Sequence, residues 1–211
     1  MNALLLDFNG TLSDDEPVLC SIFMNLFAEA GKPLTEVEYY AELAGLSDPD
    51  VVEKWLGVPR PDLVERKIEA YRRAVRSGWT IPTKTVTALR DAARELSIAV
   101  VSGSARGEIE PVLRAAGLLD SISVIVAAED VAHAKPDPEG YRRALHSLRL
   151  EADGCIAVED SDVGVAAAKA AGLHCVAVTT TLPPERLSAA DELADRFDAD
   201  LIALLVSRSR G

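Results

Sequence analysis

Several short stretches of the 211-residue sequence carry residue types able to handle a phosphoryl group. Asp7 follows the apolar run 3–6, and Ser102-Gly103-Ser104 follows 98–101. Lys135 opens Lys-Pro-Asp-Pro beyond 122–126, and Glu159-Asp160-Ser161 follows 155–158. Carboxylates hold a divalent cation such as Mg²⁺, while a hydroxyl, backbone N–H groups and an ammonium neutralise phosphate oxygens. A carboxylate nucleophile at Asp7 would form an aspartyl-phosphate. No Walker A sequence is present, so the cradling of a nucleoside triphosphate is not supported.

Such residues need a scaffold that brings them to one rim. The apolar runs 3–6, 98–101, 122–126, 155–158 and 175–178 have strand length, and amphipathic stretches at 85–95, 106–116, 138–148 and 163–171 alternate with the later ones. That rhythm predicts a parallel sheet covered on both faces, an α/β doubly wound Rossmann-like core, whose ligands bind beyond the carboxyl ends of the strands. Residues 14–80 break the rhythm. They read as helices over 17–30, 35–44, 48–56 and 61–77, with helix-start signals at Thr35 followed by Glu38 and at Ser47-Asp48. The expected organisation is a core of residues 1–13 and 81–211 with an all-helical cap at 14–80. The tail 185–206 reads as helical after Pro183-Pro184.

Composition narrows the partners. With 34 acidic against 22 basic residues and a formal charge of −12, the chain repels nucleic acid and anionic membranes and favours cations. No stretch approaches the roughly 20 apolar residues of a membrane span. The N-terminus lacks a basic leader, so a soluble cytoplasmic protein is expected, a monomer or weak homodimer. Cys155 and Cys175 sit beside apolar runs and read as structural thiols. His133, His146 and His174 show no metal-ligand spacing and read as surface or packing residues, and Trp55 and Trp79 as cap core and hinge packing.

In order, DFNGT at 7–11, VVSGS at 100–104, AKPDP at 134–138 and VEDSDVGVAAAKAAG at 158–172 resemble the four motifs of the haloacid dehalogenase superfamily. The likeness is to the branch with a small helical cap after the first motif, which includes phosphoglycolate phosphatases and β-phosphoglucomutases. It implies Asp7 as nucleophile. Mg²⁺ would be held by Asp7, the backbone carbonyl of Asn9, Asp160 and Glu159, the last directly or through water. Ser102, Gly103 and Lys135 would bind the phosphoryl group of a small phosphorylated metabolite. Gly10-Thr11 would shape the turn, and Gly164 would let its helix pack closely on the preceding strand. The cap turn Gly45-Leu46-Ser47 would face the site and help choose the substrate. Read without the resemblance, Ser102 could instead cap the helix beginning near Arg106.

Asn9 departs from the pattern. Most phosphatases and phosphomutases of the superfamily carry aspartate there, protonating the leaving oxygen and then deprotonating the attacking water. An amide cannot exchange that proton, and loss of general acid–base help typically costs about 10²- to 10⁴-fold. Asn9 is compatible with an introduced substitution, with a natural enzyme whose leaving group needs little protonation, or with a binding or regulatory protein. The cap turn lacks the lysine of a phosphonoacetaldehyde hydrolase, and Glu159-Asp160 is not needed by a dehalogenase. Glu42-Leu43-Ala44 offers no cation for the second phosphate of a mutase, so hydrolysis of a small phosphomonoester is favoured over a phosphomutase-like reaction.

Overall fold

The computed structural model describes residues 2–208. The central strand, β1 (Ala3–Leu6), is wholly buried and apolar because helices cover both faces of the sheet. It pairs in parallel with β2 (Ser97–Val101) on one side and β4 (Cys155–Glu159) on the other. The remaining strands are β3 (Val124–Val126), β5 (His174–Val178) and β6 (Glu192–Ala194), giving one parallel sheet in the order β3-β2-β1-β4-β5-β6. The chain winds outward from β1 through β2 to β3, then returns to β4 on the opposite flank. The switch point lies between β1 and β4, where a crevice opens beyond the carboxyl ends of the strands. Leu6 is in register with Val158, which leaves Asp7 beside Glu159 at that crevice.

Between β1 and β2 the chain runs through α1 (Glu16–Glu29), α2 (Glu36–Glu38), α3 (Asp48–Leu56), α4 (Pro61–Ala74) and α5 (Thr83–Ala92). Proline in the first turn of α1, α3 and α4 supplies a preset φ where the missing N–H costs nothing. Phe23 stacks on Phe27 with ring centroids 5.5 Å apart, and Phe27 on Trp55 at 6.3 Å, joining α1 to α3. Later helices are α6 (Arg106–Ala116), α7 (Glu139–Leu148), α8 (Asp162–Ala170) and α9 (Ala199–Ser207). Among the described residues no helix is long and apolar enough to cross a membrane.

Several expectations need correction. The stretch 35–44 is not one α-helix: Thr35 and Glu38 form the capping box of the three-residue α2, and Tyr39–Leu43 continues as a π-helical turn. Strand β3 begins only at Val124, after a 3₁₀ turn at Leu119–Ser121. The tail is helical only in α9, whose N-cap Asp198 accepts from Asp200 and Leu201 N–H; before it, β6 pairs with β5. Glu-Leu-Ala has weak strand propensity, so tertiary pairing decides that segment. Trp79 does not pack in a hinge: it is exposed, with its indole N–H donating to Ala74 O at 3.1 Å. Ser102 does not cap α6, whose N-cap is Ala105. Cys20, Cys155 and Cys175 are free and buried, and the three histidines are exposed. His133 nevertheless comes together with Asp137 and Glu139 on the surface, a contact its spacing did not suggest.

Candidate active site

Asp7 leaves β1 and the chain at once turns back on itself. Gly10 N donates to Ser13 O at 2.8 Å and Ser13 N to Phe8 O at 2.8 Å, closing a tight loop. Gly10 has φ +72°, and a Cβ there would collide with the Asp160 carboxylate. Glycine is therefore required on both conformational and steric grounds. Gly164 meets the second of these conditions: a Cβ would run into the Glu159 carboxylate, so its absence lets α8 start against β4.

Lys135, delivered by the loop before α7, reaches the switch point. Its Nζ donates to Asp7 Oδ1 at 2.5 Å, Glu159 Oε1 at 2.6 Å and Val101 O at 3.0 Å. Burial pulls the ammonium down, but Asp7 and Glu159 outweigh it and hold the pKa above the usual lysine value. Burial pushes the Asp7 carboxyl up, against the pull of Lys135. Glu159 is raised to about 7 by burial, with Lys135 opposing and Asp7 adding to the rise. Asp160 stands well above the usual range through burial and then the charges of Asp7, Glu16 and Glu159.

Asp7, Glu159 and Asp160 are all buried, and each offers an oxygen within 4.8 Å of the others. Glu159 Oε2 has no hydrogen-bond partner. A surplus of mutually repelling carboxyls with an unsatisfied buried oxygen suits a hard divalent cation bound by oxygen ligands. Ser102 lies across the same cleft, its Oγ accepting from Ser104 N at 3.1 Å, and Gly103 lines the rim beside it.

Asn9 is held from two sides. Ser104 Oγ donates to its Oδ1 at 2.6 Å, and its Nδ2 donates to Asp15 Oδ2 at 3.1 Å. Asp15 is fully buried behind it, also accepts from Tyr71 OH and Gly10 N, and is raised by burial to about 6. Glu16 is likewise buried but lines the cleft; Tyr39 OH donates to its Oε1 at 2.8 Å. Burial lifts it to about 7, with Asp15 and Asp7 adding to the rise.

Gly45, Leu46 and Ser47 form part of the cleft wall, and Gly45 packs closely over Ser161. Behind that wall Lys67, wholly buried in α4, lies 2.9 Å from both Asp48 Oδ2 at the start of α3 and Glu108 Oε1 in α6. On the other side Arg186 pairs with Asp162 at 2.6 Å and donates to the carbonyls of Tyr40 and Ala41 at 3.1 Å. Sequence reasoning passed over Asp15, Glu16, Tyr39, Lys67 and Arg186, and gave Ser104 no contact with Asn9. A signal existed for Lys67, which interrupts the helical stripe Leu63, Lys67, Tyr71 with a charge at a buried i, i+4 position.

The haloacid dehalogenase-like hydrolase profile matches residues 4–178, from β1 through β5. The chain belongs to that family. It is a haloacid dehalogenase-like phosphoric monoester hydrolase. It is 29% identical over 206 residues to validoxylamine A 7'-phosphate phosphatase of Streptomyces hygroscopicus subsp. limoneus, covering 90% of this chain and 91% of that one. A plasmid-borne phosphoglycolate phosphatase of Cupriavidus necator is 32% identical, over 81% of this chain and 78% of its own. Among solved structures, an aspartate-to-asparagine mutant of CbbY from Rhodobacter sphaeroides, in complex with xylulose 1,5-bisphosphate, superposes with a TM-score of 0.79 at 28% identity, covering 93% of this chain and 95% of its own. Within the haloacid dehalogenase-like fold, the rim described above is where this chain brings Asp7, Lys135, Glu159 and Asp160 together.

Proposed function

We propose that the chain is an Mg²⁺-dependent phosphatase of small phosphomonoesters that works through an aspartyl-phosphate on Asp7. The contact of Lys135 Nζ with Asp7 Oδ1 at 2.5 Å carries this reading. Beside Lys135, Asp7 can act as an ionised nucleophile in a buried site, where an unpaired carboxylate would take up a proton instead. Asp7, Glu159, Asp160 and the carbonyl of Asn9 would hold Mg²⁺, which when bound would supply charge neutralisation to phosphate oxygens. Residues 14–80 would act as the cap and Gly45-Leu46-Ser47 as its specificity turn.

In the first step an Asp7 carboxylate oxygen attacks phosphorus and the bond to the leaving oxygen breaks. Ser102 Oγ, Gly103 N–H and Lys135 receive the equatorial oxygens. The leaving oxygen takes its proton from solvent; in the second step, water gives up a proton to solvent as it attacks the same phosphorus, releasing orthophosphate and regenerating the Asp7 carboxylate. Asn9 positions the turn but carries no transferable proton, so both steps proceed without its help and turnover is low. A phosphomutase-like reading is disfavoured by Lys67, a cap cation fully occupied by Asp48 and Glu108. A silent phosphometabolite-binding role is disfavoured by the Asp7–Lys135 pair, which a binder does not require. Three buried free thiols agree with a reducing cytoplasm.

The test is orthophosphate release from a panel of phosphomonoesters with and without Mg²⁺, together with mass-spectrometric detection of phosphate on Asp7 after mixing with an aryl phosphate. Release that is Mg²⁺-dependent and lost in Asp7→Asn supports the reading. Turnover that survives Asp7→Asn sinks it.

A further inference from the structure

Charge on the upper wall of the cleft, away from the phosphoryl site, restricts the alcohol half of the ester. Among the described residues, Lys135 is the only basic side chain lining the cleft, and both Asp7 and Glu159 engage it at the floor. Above the floor stand two carboxyls, Glu16 and Asp48, with the rings of Phe23 and Tyr39 beside them, 6.2 Å apart and stacked. Asp48 is neutralised from behind by Lys67 at 2.9 Å. Glu16 has no ion-pair partner among the described residues; Oε1 accepts from Tyr39 OH, and Oε2 accepts no hydrogen bond from them.

We infer that the substrate's leaving alcohol is a non-anionic, donor-rich group, a polyol or amino-polyol, whose hydroxyl or ammonium donors are received by Glu16. This deepens the phosphatase reading and rests on it. A leaving alcohol bearing a carboxylate or second phosphate would meet Glu16 with no cation in contact with it, because Lys67, the nearby ammonium, is committed to Asp48 and Glu108, and a buried, unpaired like-charge contact is strongly unfavourable. A hydroxyl or ammonium completes the free capacity of Glu16 instead, and a site built to receive a donor discriminates sharply against ligands lacking it. The hydroxyl and ammonium versions share this chemistry, and a neutral and an amino-polyol ester distinguish them.

The full-length chain with Mg²⁺ is assayed at pH 8, where Glu16 is ionised, with sorbitol 6-phosphate, glucosamine 6-phosphate, 2-phosphoglycolate and fructose 1,6-bisphosphate, and with p-nitrophenyl phosphate as a general ester. kcat/KM for the two polyol esters should exceed that for the two anionic-tailed esters by about 100-fold. Glu16→Gln, which preserves the acceptor for Tyr39, should shrink that ratio about tenfold, mainly through KM, and most for the amino-polyol. Calorimetric binding of the four esters to the Asp7→Asn chain reads the same preference without turnover. If no ester is hydrolysed, p-nitrophenyl phosphate included, the phosphatase reading fails while the binding order still decides the inference. Anionic-tailed esters that bind or turn over as well as the polyol esters overturn it, as does an unchanged ratio in folded Glu16→Gln.

Discussion

Asn9 Nδ2 donates to Asp15 Oδ2 at 3.1 Å, so the amide sits against a buried carboxyl where a second carboxyl would be repelled. Placing an acid at position 9 is therefore a two-residue problem. Asn9→Asp alone sets two carboxyls in contact, and such a pair shares one proton near neutrality. Asn9→Asp combined with Asp15→Asn restores a donor–acceptor pair with the acid on the catalytic side. The double variant should raise kcat on an alkyl phosphate by about 100-fold, and by more than Asn9→Asp alone at pH 8. Steady-state rates at pH 6 and pH 8 decide it, and a double variant no faster than the parent contradicts the assignment.

Leaving groups provide a separate test of the proposed lack of a proton donor at position 9. An aryl phosphate leaves as a weakly basic phenolate and needs little protonation, whereas a sugar phosphate needs much more. Stopped-flow mixing with an aryl ester should show a burst of phenolate of about one equivalent per chain, followed by slow release of phosphate. Equal single-turnover rates for aryl and sugar esters would rule out proton transfer as the defect.

Stability of the metal-free protein should fall as pH rises. Burial lifts Glu16 to about 7 and Asp15 to about 6, both above ordinary carboxyl values. The folded state thus binds these protons more tightly than the unfolded chain. Their stabilisation is complete below about pH 4 and is lost as pH climbs through 6 to 7. Calorimetry should show a higher Tm at pH 5 than at pH 8, and Glu16→Gln should recover about 2 kcal/mol at pH 8. A Tm that rises with pH between 5 and 8, in chelator, would show that these carboxyls are ionised when folded.

Lys67 is the keystone between α3, α4 and α6. Removing it in Lys67→Met leaves Asp48 and Glu108 buried with no cation, which should cost about 3–5 kcal/mol by urea unfolding. Adding Asp48→Asn and Glu108→Gln to the same chain should recover most of that loss. A Lys67→Met chain as stable as the parent would mean that water enters the site.

Much of this site was readable because its parts sit at strand ends in apolar runs that only a parallel sheet explains. Asp7, Ser102, Lys135, Glu159 and Asp160 were found that way, and the register of β1 on β4 brings Asp7 and Glu159 together. Position 9 was read as a lost acid, yet its engagement with Asp15 was invisible, since that contact depends on how the turn at Gly10 folds back. Glu16 and Lys67 were missed because helical periodicity marks buried positions without saying which buried charges are paired. Strand β6 escaped because its three residues owe their conformation to β5.

Arg186 fastens the loop after β5 to Tyr40 and Ala41 through their backbone carbonyls. Every amino acid at those two positions presents the same oxygen, so mutation there leaves the clasp intact. The segment that leads into the Gly45-Leu46-Ser47 turn can thus drift in sequence while its attachment to the loop after β5 persists. A lineage could vary those two side chains in single steps without first losing the contact that holds this wall of the cleft in place.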